Sequence, residues 1–241
     1  MYDAKGYSYP DYWKGREYEH ASEAQAIRVL IGNKRFKYGL DVGGGYGRLT
    51  KLLSTYSVKV DLVEPSLQQR QFAAEFLADA PNSAVLEGDL EDIPAADQSA
   101  DLIAIFRVIH HVPDITLSLA EIDRVLMPGG YLLLEFANST HFKARLKSKI
   151  SGTPIPLTPV SVANDKSVAF VNHHPDYVRK QLLEKGFTIE RTLSVSNLRS
   201  QGLKQIVPLP VLNAVESFLQ SPLGPLHFGP SVILLARKNK T

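Results

Sequence analysis

Four of the five residues from 43 to 47 are glycine, in the run Gly39-Leu40-Asp41-Val42-Gly43-Gly44-Gly45-Tyr46-Gly47-Arg48. Glycine loses more conformational freedom on ordering than any other residue. Such a run is therefore informative where a chain must turn tightly or let another molecule come close to its backbone. Residues 38–43 read as a buried strand that ends near an acid, Asp41. Residues 47–56 read as a helix with Leu49, Leu52 and Leu53 on one face. A glycine turn between a strand and a helix suits a mononucleotide, a dinucleotide or a lone phosphate.

Spacing separates these ligands. The dinucleotide fingerprint wants glycine at relative positions 1, 3 and 6. Starting at Gly43 it meets Gly45 and then Arg48, and starting at Gly45 it meets Gly47 and then Thr50. The phosphate-loop pattern also fails, because no Gly-Lys-Ser/Thr follows. The arrangement present is Asp-x-Gly-x-Gly-x-Gly, formed by Asp41, Gly43, Gly45 and Gly47.

Apolar runs at 58–63, 84–88, 101–106 and 131–136 read as further strands. Residues 66–80, with Ser66 as N-cap, and 114–126 read as helices. This alternation predicts a doubly wound, mostly parallel α/β sheet with helices on both faces. A helix at 175–187 and strands at 188–195 and 231–238 complete it, for a total of seven strands. Two long connections remain, 138–174 and 197–230. The second carries Leu203, Ile206, Leu209, Val211, Val215 and Phe218, too apolar for a disordered segment. Within the first, residues 141–150 place Phe142, Leu146 and Ile150 at i, i+4 and i+8, with Lys143, Arg145, Lys147 and Lys149 on the other faces. A solvated basic face is the simpler reading of that helix.

The glycine motif resembles the first motif of the class I S-adenosylmethionine-dependent methyltransferases. Three more stretches carry the resemblance: Leu62-Val-Glu64-Pro65-Ser66, Glu87-Gly-Asp89-Leu90, and Asp101–Asp114 followed by Glu121–Phe136 with its Met-Pro-Gly-Gly turn. It covers 38–137 well and 175–195 loosely, and is closest in style to the ubiquinone/menaquinone biosynthesis C-methyltransferases. It implies S-adenosylmethionine as cofactor. Asp41 and the Phe106 carbonyl would then meet its ammonium, Gly43 and Gly45 would let the backbone approach, Glu64 beside Pro65 would take the ribose hydroxyls, and Asp89 with Leu90 would border the adenine. It also implies that the N-terminal segment closes over the cofactor, with Tyr12, Arg16 and Tyr18 as candidates to meet its carboxylate.

Candidates for the acceptor side follow the fourth strand. Arg107 either faces the acceptor or pairs on the surface. His110 is a candidate general base, because imidazole titrates near neutrality; His111 reads better as a packing or capping residue, and Glu135 as a strand-end acid that either reaches the cleft or is solvated. The expected organisation is one methyltransferase domain over 1–241: an N-terminal cap (1–37), a cofactor-binding core (38–137), and lid-like insertions at 138–174 and 197–230. Part of the second insertion is expected to roof a pocket beside the methyl group.

Composition removes several chemistries. The 241 residues include no cysteine, which excludes thiolate metal sites, disulfides and C5-pyrimidine methylation through a cysteine nucleophile. No acid directly follows the fourth strand, so no metal is expected. A net charge of +2 gives no nucleic-acid signature. No apolar run approaches the roughly 18 residues of a membrane span. The expectation is a cytoplasmic monomer or homodimer that acts on a small, partly apolar acceptor, with neither nucleic acid nor membrane as partner. A protein or RNA methyltransferase and a non-catalytic S-adenosylmethionine-binding protein are the alternatives.

Overall fold

The structure, a computed structural model, describes residues 9–162 and 170–240. Helices α1 (Tyr9–Tyr12) and α2 (Glu17–Ile31) precede β1 (Phe36–Val42), which passes through the glycine turn into the one-turn α3 (Thr50–Leu53). β2 (Ser57–Val63), α4 (Leu67–Phe76), β3 (Ser83–Leu86) and β4 (Ala100–Ile105) follow. A 3₁₀ turn (Ile109–His111), α5 (Thr116–Val125) and β5 (Leu126–Ala137) come next. The rest is α6 (Phe142–Ser151), β6 (Val160–Val162), β7 (Phe170–Asn172), α7 (Pro175–Glu184), β8 (Phe187–Val195), α8 (Gln201–Ile206), α9 (Leu209–Leu223) and β9 (Ser231–Lys238).

The main sheet has seven strands in the order β3-β2-β1-β4-β5-β9-β8. β1 to β5 pair in parallel, and β9 is antiparallel to both β5 and β8. The doubly wound fold read from the strand–helix alternation is the one observed. Its pleat separates two cores. Leu40, Val42, Ile103, Ile105, Leu132 and Leu134 face α5 and α7, while Leu102, Ala104 and Leu133 face α2 with Ala26, Ile27 and Leu30. Burial on both faces explains why these strands read as continuous apolar runs.

Register positions the site. Val42 lies opposite Val63 on one side and Ile105 on the other. The next residue in each strand, Gly43, Glu64 and Phe106, therefore emerges at the same carboxyl edge. β1 is also where the chain reverses its direction across the sheet, and ligands of open α/β sheets bind at that crevice.

Two local expectations differ from the structure. The helix read at 47–56 is only Thr50–Leu53. Gly43, Gly45 and Gly47 all have positive φ (71°, 59° and 90°), so right-handed winding cannot begin until the turn is complete. The insertions are also more regular than read, since they hold the β6–β7 pair and the helices α8 and α9. α9 lies against β8 and α2, where Gln220 donates to the Ser22 carbonyl at 2.8 Å and Tyr18 to Glu216 at 2.6 Å.

Candidate functional site

At the carboxyl edge of β1, β2 and β4 opens a cavity of about 360 Å³, lined in part by Tyr9, Gly43, Gly45, Glu64, Leu90 and His111. Larger hollows of 490 and 510 Å³ exist elsewhere, but neither touches the glycines or Glu64. Asp41, Gly43, Gly44 and Phe106 line a small pocket beside it together with Tyr9.

Glycine is required here for two reasons. Gly43 is left-handed, and a Cβ on it would run into the Val108 side chain. A Cβ on Gly45 would stand 2.8 Å from the Tyr9 ring. The loop thus leaves its backbone bare toward the cavity. Glu64, only 5% exposed, holds the loop from the next strand. Its Oε2 accepts from the Gly45 N–H and its Oε1 from the Ser66 N–H, both at 3.0 Å. Each carboxylate oxygen has two lone-pair directions, so both keep capacity for another donor. Burial raises the Glu64 pKa, and the two backbone donors counter it only partly.

Asp41 is buried below the loop and accepts from the Thr50 hydroxyl at 2.7 Å. Burial pushes its carboxyl up from 3.8 to about 6, so a cationic partner would find a group that gains from ionisation. Asp89 sits exposed at the other end of the cavity, where it accepts from the N–H groups of Glu91 and Asp92, while Leu90 is buried. Pro65 and Gln69 also line that wall.

Several predicted residues lie elsewhere. Tyr12 and Arg16 pair with each other, the guanidinium 4.1 Å over the ring, and neither is among the lining residues. The aromatic group that borders the cavity is Tyr9, stacked on Tyr12 at 5.6 Å. The segment offers several tyrosines, and only the contact with Gly45 separates Tyr9 from the others. Tyr18 is committed to Glu216, far along the chain.

Arg107 does not pair on the surface. It stands at φ 59°, a left-handed position for a residue other than glycine. Its N–H donates to Glu135 at 2.9 Å and its Nε to Glu23 at 2.7 Å. Glu23, fully buried on α2, also pairs with Arg48. Burial alone would raise the Glu23 pKa, but Arg107 and Arg48 outweigh it and hold the carboxyl ionised. Trp13 packs against both guanidiniums, at 3.6 Å from Arg48 and 4.9 Å from Arg107. A strained backbone turn is thereby fastened to the N-terminal helix. Glu135, whose pKa burial raises, is neither solvated nor a cavity residue; it accepts from the Ser231 hydroxyl. Glu23 was legible as an anomaly, because an acid there interrupts the apolar face of Ala26, Ile27 and Leu30.

The two histidines exchange their expected places. His110 turns inward and stacks on Phe170 at 4.3 Å. Burial, followed by His111, Arg107 and His173, pushes its pKa down to about 2, which makes it a poor base. His111 is the one that lines the cavity. The 197–230 insertion contributes none of the cavity's lining residues, because α9 is held against α2 and β8 instead. A roof from that segment is therefore not observed.

A family model described as a methyltransferase domain matches residues 40–134. A ubiquinone/menaquinone biosynthesis C-methyltransferase from Hahella chejuensis is 32% identical over 150 residues, 57% of this chain and 60% of the relative. A phthiotriol/phenolphthiotriol dimycocerosates methyltransferase from Mycobacterium ulcerans is 30% identical over 142 residues, 58% of this chain and 51% of the relative. The matched parts thus span little more than half of these relatives. The crystal structure of a SAM-dependent methyltransferase from Thermotoga maritima superposes with a TM-score of 0.65 at 22% identity, covering 96% of this chain and 95% of that one. That likeness is one of fold.

Proposed function

We propose that the chain, which matches a methyltransferase-domain family over residues 40–134, is a class I S-adenosylmethionine-dependent methyltransferase that methylates a small, partly apolar acceptor. The observation that carries this reading is Glu64, a buried carboxylate fixed by two backbone donors at the cavity floor with acceptor capacity left over. The set of acceptors suits the cofactor. Asp41, Glu64 and Asp89 are acceptors along one crevice, and S-adenosylmethionine offers an ammonium, a diol and an amino group. The bare glycine loop gives it room.

Bound there, the cofactor supplies a sulfonium methyl that is already electrophilic. The work left to the protein is binding, orientation and exclusion of water. Asp41 and the Phe106 carbonyl would hold the ammonium, Glu64 the ribose, and Leu90 with Pro65 the adenine faces. Tyr9 would cover the loop side. The ion pair of Glu23 with Arg107 would fix the end of β4, where the acceptor arrives. An acceptor that must lose a proton would meet His111 rather than His110. The relatives' names, from quinone biosynthesis and from phthiotriol dimycocerosates, favour a small molecule.

The test is transfer of labelled methyl to a panel of phenols, quinols and amines. The expected result is labelled product with release of S-adenosylhomocysteine, lost in Glu64→Ala. Tight cofactor binding without transfer to any small molecule would favour a binding protein. Label that appears only in protein or RNA would favour a macromolecular substrate.

A further inference from the structure

Helix α6 carries an apolar stripe that does not face the core. Phe142, Leu146 and Ile150 have the spacing that ordinarily turns a helix onto a sheet. Yet they are 50%, 48% and 78% exposed, and no residue of α6 is buried. Phe142 stacks on Phe228 at 4.9 Å and still keeps half its surface open. At about 100° per residue, Arg145 and Lys149 flank the stripe on one side and Lys143 and Lys147 on the other. All four cations are exposed, and the helix contains no acid. The adjoining hollow, about 340 Å³, adds His174 and His227, with Asp176 as its one acidic lining residue.

A merely solvated helix needs no apolar stripe, and a core helix would bury it. A stripe between two rows of cations fits a surface that is apolar at depth and anionic on top. Self-association fits badly, because a two-fold contact through this face would bring two sets of four cations together. We propose that α6 docks the protein on the surface of an anionic lipid bilayer. Phe142, Leu146 and Ile150 enter the boundary between headgroups and acyl chains, and Lys143, Arg145, Lys147 and Lys149 meet lipid phosphates. This is attachment to a surface. Among the described residues no helix is long and apolar enough to cross a membrane. The docking requires no methyl transfer, so it stands or falls separately from the proposed activity.

The experiment is co-sedimentation of the full chain with phosphatidylcholine vesicles that contain, or lack, about one quarter phosphatidylglycerol. The account expects binding to the anionic vesicles, at least about tenfold weaker binding to the neutral ones, and a decline as salt is raised. Leu146→Ser with Ile150→Ser, and separately Lys143→Gln with Lys147→Gln, should each weaken binding by about tenfold. Both variants should keep the wild-type circular dichroism spectrum and S-adenosylhomocysteine affinity. Three results would overturn the proposal: no binding by the wild type, a serine variant that binds as the wild type does, or a dimer in sedimentation equilibrium that the serine variant splits.

Discussion

The sheet's two halves are held in different ways. On the β1–β2–β3 side, the candidate site is made of loop backbone and strand-end acids close in sequence: Asp41 near the end of β1, Gly43 and Gly45 in the turn after it, and Glu64 one position beyond β2. On the β5–β9–β8 side and in the N-terminal cap, the structure depends on contacts between distant residues. Arg107 meets Glu23 across 84 residues, and Tyr18 meets Glu216 across 198. The first half builds its proposed ligand site through local geometry. The second is a scaffold whose charges are fixed by partners that no local pattern names. The difference teaches that the proposed cofactor site is spelled out in a short motif, whereas the contacts that support it are not.

Breaking the scaffold should have the largest effect. Glu23→Ala leaves the guanidiniums of Arg48 and Arg107 without their buried carboxylate. The loss should be about 3–5 kcal/mol of folding stability, as for other broken buried pairs, measured by urea denaturation. A loss below about 1 kcal/mol would mean that the pair is effectively at the surface. Next comes Gly43→Ala, which places a Cβ against Val108 in a left-handed turn. It should cost about 2–3 kcal/mol and remove most S-adenosylhomocysteine affinity. Unchanged affinity in calorimetry would separate the glycine turn from the ligand.

A pH series sharpens the comparison within the ligand half. Asp41 is lifted by burial to about 6 from 3.8. The folded protein then keeps a proton that the unfolded chain releases, so stability should fall as pH rises from about 4 through 6. A cofactor ammonium favours the carboxylate, so affinity should rise about tenfold between pH 5 and 7. Glu64 and Glu135 are also raised by burial and will remain in Asp41→Asn, which should lose only the Asp41 share of both slopes. Identical slopes in wild type and Asp41→Asn would refute the assignment. The smallest effect belongs to α6, where Ile150→Ser, at a residue 78% exposed, should change folding stability by less than about 0.5 kcal/mol.

How far the sequence could be read follows the same division. The strand–helix alternation and the glycine spacing contain the fold of residues 38–137, because each element there declares itself locally. His110 and His111 are adjacent, and only tertiary packing decides that the first turns toward Phe170 and the second toward the cavity. Tyr12, Arg16 and Tyr9 share one aromatic segment, and the choice of Tyr9 depends on where that segment meets Gly45. Leu209, Val211, Val215 and Phe218 of α9 suggested a roof, but Leu212, Glu216 and Gln220 are the residues that the helix buries, and those four remain exposed.

The most direct test of the account is a binding cycle on Glu64. S-adenosylhomocysteine and its 2′-deoxy analogue are titrated by calorimetry into wild type and Glu64→Ala. If Glu64 holds the ribose diol, the wild type should bind the deoxy analogue less tightly by about 1.5–3 kcal/mol, the range for a hydrogen bond to a charged group. The variant should bind both ligands weakly and almost equally. An equal preference for the hydroxylated ligand in the two proteins would contradict the account, because the diol would then be held by something other than the carboxylate at the end of β2.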